Sequence, residues 1–174
     1  MQFAFSDRVE THKSRIGTIH DPNHNRTKLW KSENLMNNTD CPMCHRWKDD
    51  ADLRIAELEH SYVILNRDQF FPGYTLLFTK NHVTELFHLD RTVRVGLMEE
   101  VSRVAQAVYD VFSPAKINYE LLGNMVPHIH WHIVPRFASE PLWPRPIWAE
   151  PHNELLLLPD EYKRRIEKIG SALL

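Results

Sequence analysis

The sequence predicts an α+β fold, and three observations carry that prediction. Apolar runs of strand length stand at YVILN, residues 62–66, and YTLLF, residues 74–78, with the breaking segment QFFPG between them. Val93, Leu97, Val101, Val104, Ala105, Val108 and Phe112 recur at steps of three and four, tracing one apolar face of a long helix. KINYELL at 116–122 and IHWHIV at 129–134 then return to strand patterning.

Each boundary has a chemical reason. Residues 1–40 are polar and weakly periodic, with turn formers in DPNHN and SENLMNNTD, and read as an N-terminal extension. Asn66 ends the first strand. Asp90 suits the N-cap of the long helix, where a carboxylate can accept otherwise unpaired N–H groups, and Ser113-Pro114 stops that helix. In the last strand Ile129, Trp131 and Ile133 fall on one face, and His128, His130 and His132 on the other, so the apolar trio can anchor a core. PLWPRPIWAEP at 141–151 holds too many prolines for a helix or central strand and should wrap the surface. Pro159 fits the first turn of a final helix bearing Tyr162, Ile166, Ile169 and Leu173.

Composition narrows the function. The 174 residues are 43% hydrophobic and 25% charged, as in globular domains, and no run of about 18 apolar residues is present to cross a bilayer. Lys+Arg 21 against Asp+Glu 23 gives a net charge of -2, which argues against a nucleic-acid module. The N-terminus lacks the basic start and apolar stretch of a secretory signal, so a cytoplasmic protein is expected.

Chemistry concentrates in two places. Three imidazoles at i, i+2 and i+4 of a strand stand at steps of about 6.6 Å on one face and can converge on one ligand. They read as a polar edge, as a histidine-only metal site, or as a nucleophilic histidine with flanking helpers. Cys41 and Cys44, in CPMC, read as a redox pair, as half of a metal site, or as two unconnected thiols. Other features stay open between roles. Trp143, Trp148 and Arg145 can stack on a nucleobase, close a dimer interface or pack a wrapping tail, and Arg136 can meet a phosphate or pair at the surface. His12, His20, His24, His60, His88 and His152 have no ligand spacing and read as surface positions.

HIHWHIV at 128–134 resembles the signature of the histidine triad (HIT) superfamily, His-x-His-x-His followed by two apolar residues. The resemblance extends to Asn66, to Pro72-Gly73, to the KNH ending in His82, and to Asn118, Gly123 and Asn124. It covers residues 41–137, leaving 138–174 as a C-terminal wrapping segment and helix. It implies an antiparallel sheet with a long helix and a C-terminal helix, a homodimer, and hydrolysis or transfer of a nucleotidyl group through a nucleotidyl-histidine. By the same resemblance His130 is the nucleophile, His132 its helper, Asn66 the residue that meets the ribose, and Asn118, Gly123 and Asn124 further substrate contacts. The substrate implied is a small nucleotide, such as a dinucleoside polyphosphate or phosphoramidate. A neutral imidazole at pH 7 suits the nucleophilic role independently, given an ordinary pKa of about 6.5.

A structural zinc site wants four ligands, and with no second C-x-x-C the missing two should be histidines: His82 and His128 are the candidates, with His45 competing. The set resembles the zinc-bearing branch of the superfamily. In that reading the triad divides, with His128 structural and His130 and His132 catalytic. Two alternatives remain at this level, a metal-dependent hydrolase or oxygenase using all three histidines as ligands, and a non-catalytic nucleotide-binding protein. One departure stands out. Tyr74 occupies the position where many members of the superfamily have a fourth histidine, so the proton traffic of leaving-group departure rests more on His132 or the preferred leaving group differs.

Overall fold

A computed structural model describes residues 40–174. The expectations for the first 39 residues, with His12, His20 and His24, lie outside the described part. Helix α1 (Pro42–Asp49) leads through a short 3-10 turn at Ala51–Leu53 into strand β1 (Arg54–Glu57), and β2 (Ser61–Leu65) and β3 (Thr75–Thr79) follow. A second 3-10 turn at Leu86–His88 precedes the long helix α2 (Arg91–Phe112). The chain closes with β4 (Lys116–Leu121), β5 (His130–Arg136) and α3 (Pro159–Leu173).

The five strands form one antiparallel sheet in the order β1-β2-β3-β5-β4, so the histidine strand is interior. This is the α+β arrangement predicted. Both faces of the sheet centre are covered, and the core includes Val63, Leu65, Leu77, Trp131 and Ile133 together with Leu97, Val101, Val104, Ala105 and Val108 of α2. Helix α3 packs against α2 and β1. Asp90 takes the N-cap position of α2, but its side chain makes no capping hydrogen bond. Helix α2 ends as Ser113 turns into the left-handed region at φ 48, where its N–H donates to the Tyr109 carbonyl.

Two elements go beyond the sequence reading. Helix α1 carries both cysteines: Cys41 is its N-cap and Pro42 its first residue, the position where a missing N–H is harmless. Strand β1 is four residues long, lies at the sheet edge and has a register irregularity between Arg54 and Ala56, so its alternation is too short to read. The proline-rich segment forms neither helix nor strand and is seated by buried Leu142 and Ile147. Two histidines assigned to the surface are instead half-buried. The His60 ring lies against Gly96 of α2, where an added Cβ would come within 2.5 Å of it, and His152 stacks on Phe70 at 4.4 Å. No helix among the described residues is long and apolar enough to cross a membrane.

Candidate active site

The register builds the site in rows across one face of the sheet. Phe78 lies opposite His130, Leu76 and Glu120 lie on either side of His132, and Asn118 lies opposite Val134. Asn66 donates its backbone N–H to the Tyr74 carbonyl, which continues the β2–β3 pairing by one residue. Strand alternation therefore puts Asn66, Tyr74, His130, His132, Asn118 and Glu120 on the same face. From α1, Trp47 stacks on Tyr62 of β2 at 4.4 Å and 11°.

His130 and His132 are neighbours, with ring centroids 5.0 Å apart at 64°. His130 is buried, and its Nδ1–H donates to the carbonyl of His128 at 2.5 Å. That bond fixes the tautomer and leaves Nε2 with a free electron pair, the form a nucleophile needs. His132 is held differently. Its Nδ1 meets the hydroxyl of Tyr74, and its ring meets Trp148 edge-on at 5.4 Å. Burial, with the positive ends of His130 and Arg46 adding to it, lowers the pKa of His132 to about 4. Burial, followed by the negative charges of Glu120 and Asp68 and opposed by Arg46, raises that of Tyr74. At neutral pH the phenol keeps its proton, and because Nδ1 of His132 is the only acceptor the hydroxyl meets among the described residues, it donates there and leaves His132 a neutral ring with Nε2–H as its donor.

The first histidine of the triad belongs to a different cluster. Nδ1 of His128 lies 3.6 Å from the Cys41 sulfur and 3.5 Å from the Cys44 sulfur, and His82 Nδ1 lies 3.4 Å from Cys44. The four ligand atoms lie within 4.8 Å of one another. A tetrahedral ion with bonds of about 2.0–2.3 Å has ligand–ligand edges of about 3.3–3.8 Å, so this set can bind a metal ion. The remaining His128 nitrogen, Nε2, donates to the Thr79 carbonyl at 2.9 Å and has the Thr79 hydroxyl at 3.0 Å, which aims Nδ1 at the sulfurs. Burial lowers the pKa of His128 to about 4, keeping it in the neutral form that ligates. His45 is exposed on α1 and is not in the cluster. Both nitrogens of His128 are thus directed away from the His130–His132 pair, so the three triad rings do not meet as one ligand set.

The remaining sequence candidates divide. Asn66 is on the histidine face, but its side-chain amide donates to the Asp68 carbonyl at 3.2 Å, within the loop after β2. Gly123, at φ +84, and Asn124 line a cleft of about 540 Å³ whose wall also includes His128, Glu85 and Phe87, on the metal-cluster side. Arg136 neither meets an open phosphate site nor pairs at the surface. It is 1% exposed, donates Nε–H to Glu140 at 2.6 Å and an Nη2–H to the Arg145 carbonyl at 2.7 Å, and so ties the end of β5 to the wrapping segment. Trp148 reaches the site from that segment, and its indole N–H donates to the Glu120 carboxylate beside His132. Glu120, Thr79 and Arg46 are functional neighbours that the sequence reading missed. Only the register of β4 against the histidine strand, which is a long-range pairing, identifies Glu120.

Comparison with known proteins bears on the family and the fold. The HIT domain family model matches residues 48–139. Protein hit of Bacillus subtilis is 29% identical over 96 residues, covering 52% of this chain and 66% of that protein. Bis(5'-nucleosyl)-tetraphosphatase (asymmetrical) of Schizosaccharomyces pombe is 31% identical over 85 residues, covering 46% and 47%. The chain therefore spans less than two thirds of the length of these relatives. A histidine triad protein of Bradyrhizobium japonicum superposes with a TM-score of 0.66 at 30% identity, over 72% of this chain and 93% of that one. A Zn-bound histidine triad family protein of Mycobacterium smegmatis gives 0.57 at 25%, over 77% and 93%. With the fold, the ordered motif and the family model in agreement, the chain belongs to the HIT domain family.

Proposed function

We propose that the protein is a nucleotide hydrolase or nucleotidyl transferase that acts at the α-phosphate of a nucleoside phosphate derivative through a nucleotidyl-His130 intermediate. The observation that carries this reading is the Nδ1–H bond from His130 to the His128 carbonyl, which presents Nε2 as an electron-pair donor beside a neutral N–H donor on His132. The Nε2 pair forms a bond to phosphorus as the bond to the leaving group breaks. Water then attacks phosphorus, the pair returns to Nε2, and the water gives up a proton. His132 Nε2–H hydrogen-bonds a phosphoryl oxygen as charge gathers on it, and Asn118, on the same face of the sheet, offers a further amide donor. Asn66 turns from its loop bond to the ribose hydroxyls. The tetraphosphatase relative in yeast supports the substrate class, a small nucleotide.

Zinc is the proposed occupant of the Cys41, Cys44, His82 and His128 cluster, because two thiolates and two imidazoles suit it and the Mycobacterium relative is Zn-bound. Bound there, it supplies a structural crosslink between α1 and the approach to β5. The reaction proceeds in the cytoplasm, in a homodimer. The test compares two variants. His130→Ala should lower hydrolysis of dinucleoside polyphosphates by about 10⁴-fold or more while keeping zinc content and melting temperature. Cys41→Ser should lose zinc and stability first. Equal metal loss in both variants contradicts the division of the triad.

A further inference from the structure

Departure of the leaving group raises a question that the nucleophile alone does not answer. When the P–O or P–N bond breaks, its electron pair goes to the leaving atom. A phosphate-chain oxygen accepts that pair as a stable anion, whereas an amine nitrogen must gain a proton as it departs. The proton has to come from a group within reach of the leaving atom.

The groups around His132 are Tyr74 on the approach to β3, Glu120 on β4, His130 on β5 and Arg46 on α1, with Asp68 acting on Tyr74 from the loop between β2 and β3. None of them is a ready acid. Tyr74 is 5% exposed, and its hydroxyl is spent on Nδ1 of His132. To relay its proton through His132, it would have to become a buried phenolate facing the negative charges of Glu120 and Asp68. The Glu120 carboxylate accepts the Trp148 indole N–H. The guanidinium of Arg46 is engaged by the Asp50 carboxylate. His130 Nδ1–H stays on the His128 carbonyl while Nε2 attacks.

We infer that Tyr74, as a positioning residue, locks His132 as a neutral hydrogen-bond donor, so that the site expels leaving groups departing as phosphate-chain oxyanions and is a poor catalyst for P–N-linked amine derivatives. The inference rests on the nucleotidyl-histidine reading above and names the substrate class of that site. The step balances without an enzyme acid. The Nε2–P bond forms, the P–O bond breaks with its pair on the phosphate chain, and that chain leaves as an anion. Water then forms the new P–O bond, the P–Nε2 pair returns to the ring, and one proton goes to solvent.

The experiment measures kcat/KM of the full chain for diadenosine tetraphosphate and adenosine 5'-phosphoramidate, which share the nucleotidyl half. The tetraphosphate should be favoured by about 100-fold or more, the contribution of a missing general acid. Tyr74→His places a titratable imidazole against His132 Nδ1 that can pass a proton through that ring, and should shrink that ratio by about tenfold or more and make phosphoramidate turnover fall as pH rises. Tyr74→Phe, which keeps the ring but adds no acid, should lower both rates and leave the ratio in place. A wild-type ratio within about tenfold overturns the inference, as does a folded Tyr74→His with an unmoved ratio and pH profile. If Tyr74→His does not fold, the wild-type and Tyr74→Phe ratios decide. Failure to turn over either substrate overturns the reading beneath it, and the inference with it.

Discussion

At the scale of single residues, the two histidines of the candidate active site are set in opposite tautomers by their Nδ1 partners. A backbone carbonyl accepts from His130, and a phenol donates to His132. The second setting has a stability consequence. Above pH of about 6.5 His132 is neutral in both folded and unfolded chains and contributes no pH dependence. As pH falls below that value the unfolded chain gains a proton on this ring, while the folded chain resists until about 4, so stability is lost across this window. Denaturant unfolding at about pH 7.5 and about pH 5 should show a smaller acid loss in His132→Asn than in wild type; equal losses would contradict the assignment. The identities of these histidines were legible because alternation alone puts His130 and His132 on one face. Their tautomers were not, since these depend on Tyr74, 58 positions away, and on a main-chain oxygen.

At the scale of elements, α1 and β5 are the informative pair. Helix α1 has exposed, charged residues on much of its surface, and few apolar contacts would hold so short a helix in place unaided. Trp47 on Tyr62 and the cysteine–histidine cluster fix its two ends. With the proposed zinc in that cluster, a chelator should therefore lower unfolding stability by about 3–4 kcal/mol, relative to protein with free zinc some 100–1,000-fold above its dissociation constant. Amide exchange in residues 42–49 should speed up before that of β5. Uniform exchange would place the stabilisation elsewhere. The sequence hid α1 because its apolar positions are few, although Pro42 after Cys41 and Arg46 and Lys48 in its last turn are helix signals in retrospect. Strands β2 and β3 were readable as apolar runs of strand length bounded by breaking residues, and β4, β5, α2 and α3 because each repeats its period over enough residues to declare a face.

At the scale of the whole molecule, the C-terminal segment is a strap that closes over the sheet and brings Trp148 to His132. Two polar anchors hold it. Arg136 and Glu140 form a buried ion pair, and Asp68 accepts from the N–H groups of Phe70 and Leu155 and from His152 at 2.8 Å. Burial alone would raise the pKa of Asp68, but the bonds from Leu155, Phe70 and His152 hold it below the ordinary value. Arg136→Ala leaves Glu140 buried without its partner and should cost about 3–5 kcal/mol in denaturant unfolding; a cost under about 1 kcal/mol would show that the pair is not buried in solution. Sequence reasoning read from the prolines that this segment is neither helix nor strand. It missed the anchors, because a buried Arg–Glu pair at i, i+4 looks the same in sequence as a solvated one. The covalent role proposed for His130 draws all three scales together, and intact mass spectrometry tests it most directly. Protein mixed with a dinucleoside polyphosphate and quenched without acid should carry one added nucleotidyl group, transient in wild type and absent in His130→Ala. Product formation with no adduct at any time point would mean that water attacks phosphorus directly and that His130 is not the nucleophile.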